Sequence, residues 1–305
     1  MKIFLTGSDG QLGKALSENI PKDIILIKAS KNEFNLSKPE EIDSILKRIE
    51  PDWIINCGAF TNVEKAEVDF QEAFSINYLA VKQISNTIKN LKTKLLHIST
   101  DYVFNGEKNI PYQVDSERNP INKYGESKAL GENVIEKILS GTNKAVIVRT
   151  SWLVSHIGDN FVKKILNRLV NYKGDLKVVD DQFGSITSTY SLSEACWEIV
   201  TKWDKKDFKS ETIKIFHWSS RGVVSWYEIA CEINNIAENM NLIKSKMHII
   251  PIKSYYFNSK AKRPKYSVLD LIETKKYLDT KVNYWKDDLF EIIKNIKKEK
   301  NLGSY

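Results

Sequence analysis

Three glycines at Gly-x-x-Gly-x-x-Gly spacing, residues 7–13, follow the first apolar stretch of the chain, and they limit its fold more than any other feature. Residues 2–6 are typical of a short buried strand, and helix-forming sequence begins near Gln11. Glycine permits a tight turn and lets backbone N–H groups approach a ligand closely. A buried strand that turns at once into a helix indicates a parallel α/β fold.

The alternation of strand and helix continues to about residue 150. Further strands are predicted at residues 23–28, 53–56, 94–99 and 144–149, and helical segments at residues 39–46 (with Ser37 as N-cap), 65–90 and 123–139. Strands that are buried on both faces have continuous apolar sequence, as residues 144–148 do. This order predicts a doubly wound, Rossmann-type parallel sheet with helices on both faces.

The glycine turn also predicts a dinucleotide site, because the helix that follows it presents free N–H groups and a partial positive charge to a pyrophosphate. The predicted contacts in the turn are Gly7, Asp9, Gly10, Gln11 and Leu12. The end of the second strand should select the cofactor, and Ser30 and Lys31 stand there, with no acid before Glu33. Lysine and serine can pair with a 2′-phosphate, so NADPH is expected, with NADH as the alternative. These lysines could also form only a solvated turn.

Beyond residue 150 the alternation weakens, and aromatic residues and loops become denser. We predict a dinucleotide-binding domain at residues 1–150 and a smaller, mainly substrate-binding lobe at residues 151–305. The boundary is soft, because later segments can return to the sheet. Trp226 and Tyr227, at the start of a predicted helix, are expected in the core of this lobe.

Charge and cysteine content exclude several classes of protein. The net charge is +7, from 46 Lys and Arg against 39 Asp and Glu, and it is spread along the chain. Nucleic-acid binding is therefore not expected, whereas a mild basic field suits phosphorylated ligands. The three cysteines and four histidines lack disulfide or metal-ligand spacing. With no signal peptide or membrane span in the sequence, we expect a cytoplasmic protein without a membrane partner or bound metal.

A candidate catalytic group combines Tyr124 and Lys128, four residues apart on one helix face, with Thr100 at the end of the fourth strand. A phenol has an unperturbed pKa near ~10, and a nearby ammonium is expected to lower it. A hydroxyl at the carboxyl edge of the sheet can hold a substrate carbonyl beside Tyr124. Each feature alone has a plain structural explanation, such as a strand-end cap. His97 is expected to be packed rather than catalytic.

Several motifs resemble one known family. They are residues 99–106 (STDYVFNG), 124–128 (YGESK), 149–152 (RTSW), 181–184 (DQFG) and 263–267 (RPKYS). Together with the glycine turn they resemble the extended short-chain dehydrogenase/reductases and, more narrowly, the dTDP-4-dehydrorhamnose reductases. Dehydratases of this superfamily carry Thr-Asp-Glu, whereas this chain has Thr-Asp-Tyr at residues 100–102, which favours simple reduction.

The resemblance implies NADPH-dependent reduction of the 4-keto group of dTDP-4-dehydro-L-rhamnose. Tyr124 would donate the proton, Lys128 would tune it and hold the cofactor ribose, and Thr100 would orient the carbonyl. The implied substrate contacts are Asp101, Tyr102, Trp152 and Arg263. The further implied cofactor contacts are Asn35, Leu36, Cys57, Gly58 and Ala59. Many members are homodimers, so a homodimer is an open alternative here.

Some positions depart from the family pattern and leave the sugar open. Glu64 replaces an Asp, Gly58 and Phe60 stand in an unusual segment, and Ala15 lacks a carboxylate that some members use for a metal. One alternative is a reductase of another nucleotide-linked 4-keto-6-deoxysugar. Another is a non-catalytic nicotinamide-binding subunit that resembles the regulatory subunit of methionine adenosyltransferase.

Overall fold

A computed structural model describes residues 1–204 and 212–302. The N-terminal half contains β1 (Lys2–Thr6), α1 (Gln11–Glu18), β2 (Ile25–Ala29), α2 (Pro39–Ile49), β3 (Trp53–Asn56), α3 (Val63–Val68), α4 (Phe70–Phe74), α5 (Ala80–Lys89), β4 (Lys94–Thr100), α6 (Lys123–Leu139) and β5 (Ala145–Thr150). The remainder contains β6 (Leu153–Val154), α7 (Phe161–Asn171), β7 (Leu176–Val179), β8 (Phe183–Gly184), β9 (Thr187–Ser188), α8 (Thr189–Lys202), β10 (Lys214–Trp218), β11 (Val224–Ser225), α9 (Trp226–Asn239), β12 (Ile249–Ile252), α10 (Ile272–Tyr277) and α11 (Trp285–Leu302).

The main sheet has six parallel strands in the order β10-β5-β4-β3-β1-β2. The strand order reverses between β1 and β3, which is the switch point where sheets of this type bind ligands. Alternate strand residues enter opposite cores. Phe4 and Ile54 pack with α2, α5 and α6, whereas Ile3 and Ile55 pack with α1 and α8. The predicted doubly wound parallel sheet is confirmed.

Two local predictions are wrong. Ser37 does not cap α2, because its N–H and hydroxyl both donate to Asn35 Oδ1, and Lys38 holds the cap position without a side-chain bond. The helical pattern at residues 65–90 is divided into α3, α4, a π-helical turn at Ser75–Leu79, and α5. Asp69 makes the first break, since its non-helical backbone ends α3 while its carboxylate accepts from Glu72 N.

Residues after 150 contribute to both layers. Helix α8 packs against α1, and β10 extends the sheet beyond β5. A third apolar cluster forms among α7, α9 and α11, with Leu166, Ile233 and Ile293 fully or almost fully buried. Three two-stranded sheets, β11-β8, β12-β7 and β6-β9, surround it. The division into two domains at residue 150 stays a prediction, and residues 205–211 and 303–305 of the second range lie outside the described residues.

Across the two described ranges, every helix is too short or too polar to cross a membrane.

Candidate active site

The glycine turn joins the ends of β1 and β3. Gly7 has φ +64°, and a Cβ there would lie 2.7 Å from Gly58 N. A Cβ on Gly13 would lie 2.3 Å from Gly7 O. Such distances exclude any side chain, so the turn can close only with glycine.

The start of α1 fits a dinucleotide pyrophosphate. Its N-cap is Gly10, which makes no side-chain cap, and its first turn carries no acidic residue. The first N–H groups of the helix are therefore open to an anion. Asp9 and Gly10 are exposed, whereas Leu12 is buried in the core beneath. The Gln11 side chain instead accepts a hydrogen bond from Asn160 Nδ2 at 2.9 Å and so links the turn to α7.

The adenosine end of the predicted site lies after β2. Ser30 is half-buried and Lys31 is exposed. Glu33 folds back so that its carboxylate accepts from Ser30 N at 2.8 Å, and this bond lowers the pKa of Glu33. A carboxylate thus lies nearer the end of β2 than the linear sequence indicates. Leu36 is buried and would lie 2.7 Å from a Cβ on Gly58, so it packs against the second half of the site.

The segment after β3 completes this side of the site. Cys57, Gly58 and Ala59 are half-buried, and Asn35 is half-buried with its amide oxygen turned to Ser37. Burial raises the pKa of the Cys57 thiol, so it is an unreactive side chain. All three cysteines are free thiols. Within the described ranges, no three His, Cys, Asp or Glu side chains gather in a way that could hold a metal ion.

Thr100, Tyr124 and Lys128 come together at the carboxyl end of β4. The Thr100 hydroxyl donates to Asp101 Oδ1 at 3.0 Å and accepts from Tyr102 N at 3.2 Å. Burial raises the pKa of Tyr124 to about 12, and the neighbouring Thr100 hydroxyl opposes that rise. The expected lowering of the Tyr124 pKa by Lys128 is not seen in this structure, where that pKa is shifted by burial, by the Thr100 hydroxyl and by the charge of Asp101.

Lys128 is almost fully buried, and its ammonium donates to Ile98 O at 2.7 Å. Burial lowers the pKa of Lys128 to about 8, although the charge of Glu132 opposes this change. The lysine Nζ also lies 3.4 Å from His97 Nε2. Lys128 is therefore a cation held in place by β4, the strand that ends at Thr100, and it lies one helical turn after Tyr124 on α6.

A polar row that the sequence analysis missed supports Lys128. Thr6, Asn56 and His97 are register neighbours on β1, β3 and β4. Thr6 Oγ1 accepts from Gly58 N at 3.1 Å and donates to Asn56 Oδ1 at 2.6 Å, and the Asn56 amide nitrogen lies 3.0 Å from His97 Nδ1. Polar residues near the carboxyl ends of three adjacent apolar strands are the signal that could have revealed this row.

Glu132 anchors the catalytic helix to the sheet one turn beyond Lys128. It is fully buried and accepts hydrogen bonds from Ser99, Arg149 and Arg118. Burial would raise the pKa of Glu132, but these partners hold it at about 2. Arg149 is almost fully buried in this ion pair. Its role is thus internal, although it belongs to a motif that the resemblance places on the substrate side.

The predicted substrate contacts occupy different depths. Asp101 is buried, and burial raises its pKa to about 7. The Tyr102 ring lies edge-on to Tyr124 at 5.8 Å. Trp152 stacks on Trp226 with ring centroids 3.7 Å apart. Arg263 forms an ion pair with Glu64 at 2.7 Å.

A cavity of about 1790 Å³ extends from Glu64 and Arg263 to the third apolar cluster. Its apolar wall includes Phe161, Val178 and Trp226. Trp226, which the sequence assigns to the core, therefore lines the cavity, with Trp152 stacked against it. The cavity is large enough for a nucleotide-linked sugar.

The chain is similar over almost its whole length to a known protein family. The family described as "RmlD substrate binding domain" matches residues 1–298. A dTDP-4-dehydrorhamnose reductase from Sinorhizobium fredii is 31% identical, over 96% of this chain and 97% of the relative. The chain belongs to the dTDP-4-dehydrorhamnose reductase family. The resemblance predicted from the motifs is confirmed.

Two other proteins that are similar to this chain also bear on its function. The spore coat polysaccharide biosynthesis protein SpsK of Bacillus subtilis is 34% identical, over 88% of each chain. The dTDP-4-dehydrorhamnose reductase of Bacillus anthracis, solved in complex with NADP, is 30% identical with a TM-score of 0.85. The alignment covers 96% of this chain and 99% of that structure, so the family likeness includes the sheet and the later elements alike.

Proposed function

We propose that this protein reduces the 4-keto group of dTDP-4-dehydro-L-rhamnose to give dTDP-L-rhamnose, with NADPH as reductant. The observation that carries the proposal is the gathering of Thr100, Tyr124 and Lys128 beside the glycine turn, in a chain of the dTDP-4-dehydrorhamnose reductase family. The cofactor assignment draws support from the relative that was solved with NADP.

The cofactor would lie across the switch point of the sheet. The turn residues Gly7, Asp9, Gly10, Gln11 and Leu12 would hold its pyrophosphate, Ser30, Lys31, Asn35 and Leu36 its adenosine end, and Cys57, Gly58 and Ala59 the segment between. When bound, reduced nicotinamide supplies the hydride that the sugar carbon accepts. The open N–H groups at the start of α1 support this placement.

Tyr124 would act as the general acid. Its raised pKa keeps the phenol protonated at neutral pH, which a proton donor to the forming alkoxide requires. The Thr100 hydroxyl would orient the carbonyl, and the Lys128 ammonium would stabilise the phenolate that remains. Asp101, Tyr102, Trp152 and Arg263 would contact the nucleotide sugar. Of these four, Arg263 lines the cavity, most of which is supplied by residues 151–305, whereas Asp101 and Tyr102 lie next to Thr100 and Tyr124, and Trp152 stacks on the cavity residue Trp226.

A second candidate is a reductase of another nucleotide-linked 4-keto-6-deoxysugar. The likeness to SpsK, a spore coat polysaccharide biosynthesis protein, favours keeping this alternative. We also propose that the protein works in the cytoplasm and, as many members of the family do, as a homodimer.

Turnover of dTDP-4-dehydro-L-rhamnose, followed through NADPH absorbance, tests the proposal. Wild type should oxidise NADPH, and Tyr124→Phe should lower kcat by about 10²- to 10⁴-fold because it lacks the acidic proton. Tyr190→Phe is the matched control, since Tyr190 is 55% exposed on α8. Binding of NADPH without oxidation would contradict this substrate. Turnover of a different 4-keto sugar would then support the second candidate, and no turnover of any would support the non-catalytic subunit.

A further inference from the structure

Glu64 sends its carboxylate out of the dinucleotide-binding half of the molecule. It lies in the first turn of α3, whose N-terminus is already capped by Asn62, which accepts from Lys65 N at 2.9 Å. The carboxylate is therefore not needed to cap its own helix. Instead it lines the large cavity together with Arg263.

All of the donors that reach this carboxylate come from one segment nearly 200 residues away, residues 259–263. They are Ser259 Oγ at 2.6 Å, Lys260 N at 2.9 Å, Ala261 N at 3.4 Å and the Arg263 guanidinium at 2.7 Å. Burial would raise the pKa of Glu64, but the bonds from Ser259 and Arg263 hold it at about 2. The group is thus a permanent anion at any working pH.

Arg263 is held in one orientation by this arrangement. One guanidinium nitrogen donates to Glu64 and the other to Ser259 Oγ. A planar guanidinium with two fixed nitrogens has its remaining N–H groups fixed as well. Arg263 also faces Tyr102, since its charge opposes the rise that burial causes in the pKa of that phenol. The Tyr102 ring in turn contacts Tyr124.

The same segment is joined to the catalytic helix. Asn122 Nδ2 donates to Lys262 O at 2.9 Å, while Asn122 Oδ1 caps α6 by accepting from Gly125 N at 2.8 Å. Glu64 and Asn122 therefore grip residues 259–263 from two sides. The Glu64–Arg263 pair is 42% and 29% exposed, and an ion pair of that exposure adds little to global stability. Its consequence is local.

We propose that Glu64 is a positioning residue for the nucleotide-sugar site: it fixes residues 259–263 against the dinucleotide-binding half and aims the Arg263 guanidinium at the anionic diphosphate of the substrate. The inference rests on the proposed function for the identity of that substrate. The contact with Glu64 leaves the chemistry at Tyr124 and Lys128 untouched, so its loss should weaken binding rather than catalysis.

The test compares Glu64→Gln and Glu64→Asp with Glu72→Gln as control. Glu72 forms its ion pair with Lys65 on the neighbouring helix, away from residues 259–263. In Glu64→Gln the KM for the nucleotide sugar should rise about tenfold while kcat and the KM for NADPH change less than about twofold. Glu64→Asp keeps the charge and should recover part of the affinity, and the control should match wild type.

Calorimetric titration with thymidine diphosphate gives a readout that does not need turnover. Its Kd should rise about tenfold in Glu64→Gln. An unchanged Kd and KM would overturn the inference, as would equal losses in kcat and in NADPH binding with a lowered Tm, which indicate general damage. If the wild-type protein bound NADPH but oxidised none of it with this keto-sugar, the proposed function would fail instead, while the thymidine diphosphate titration would still decide the role of Glu64.

Discussion

Lys128 and Tyr124 share one face of α6, yet burial moves their pKa values in opposite directions. Burial penalises the charged form of each group, so the pKa of Lys128 falls to about 8 and that of Tyr124 rises to about 12. At neutral pH the phenol therefore holds its proton firmly. The ammonium is the group nearer to losing its charge, so it should control the alkaline limit of activity.

We expect kcat/KM for keto-sugar reduction to fall as the pH rises through about 8, because Lys128 then loses the charge that the proposed mechanism assigns to it. The charged or titratable groups that face Lys128 are Glu132, Cys57 and His97. None of these three loses, near pH 8, a charge that the reaction needs. A profile of kcat/KM from about pH 6 to about pH 10 measures this alkaline fall in activity, which is the alkaline limb of the profile. Lys123→Met, on the exposed side of the helix, should leave it unchanged. A limb that begins only above about pH 10 would contradict the assignment.

Residues with local signals could be predicted, and residues with distant partners could not. Thr100, Tyr124 and Lys128 were found because strand end and helix spacing place them together. Glu64 stood out only as a replacement of the family's Asp, and its contacts could not be predicted because its partners lie nearly 200 residues away. Trp226 could not be assigned to the cavity from the sequence either, because a tryptophan at a helix start fits a core position equally well.

Helix α6 is held in position by Glu132 as well as by its apolar face. The carboxylate ties the helix to Ser99 on β4, to Arg149 on β5 and to Arg118 in the loop before α6. Removing its charge would leave Arg149 buried without a counter-ion, a costly state in a medium of low polarity. The element that carries Tyr124 and Lys128 is therefore held by an internal ion cluster.

Glu132→Gln should lower the free energy of unfolding by about 3–5 kcal/mol, as expected when one partner of a buried ion pair is removed. Glu136→Gln is the matched control one turn later, because Glu136 is 31% exposed and pairs with Arg118 alone among these arginines. Urea denaturation followed by circular dichroism measures both. Equal small losses in the two variants would show that the cluster does not fix the helix.

At the element level, periodicity predicted the five strands and most helices of residues 1–150 correctly, whereas most elements after residue 150 were not predicted. It failed where side chains override it. Asp69 and the π-helical turn at Ser75–Leu79 interrupt a segment whose apolar spacing is helical throughout. Serine is a residue type that often caps helices, but the Ser37 hydroxyl donates to the Asn35 side chain instead. Such competition among polar side chains is not visible in spacing alone.

The molecule as a whole is interleaved: along the chain, elements of the main sheet and its covering helices alternate with elements of the third apolar cluster. The chain leaves the sheet after β5, builds β6 to β9, returns as α8 and β10, and leaves again for α9. Helix α8 covers one face of the sheet with Leu192, Ala195 and Ile199, which belong to the same buried apolar cluster as residues of β1 and β3. The predicted boundary at residue 150 therefore separates the early strands from elements that complete their core.

A fragment of residues 1–150 should not fold cooperatively, because it lacks α8 and β10 and would expose the apolar face that they cover. Binding of a hydrophobic dye and a broad thermal transition, compared with the full chain, would show this. A fragment with a sharp transition and NADPH affinity equal to the full chain would instead support the boundary as an independent domain limit.

Interleaving also restricts how the protein can change its sugar. The cavity that we assign to the sugar is lined by stretches on both sides of α8 and β10, so recombination could not exchange this lining as one continuous segment without also replacing part of the main sheet. A lineage of such enzymes must acquire new sugars by single replacements along the cavity. Divergence in sugar choice should therefore be gradual, while the main sheet is inherited as a unit.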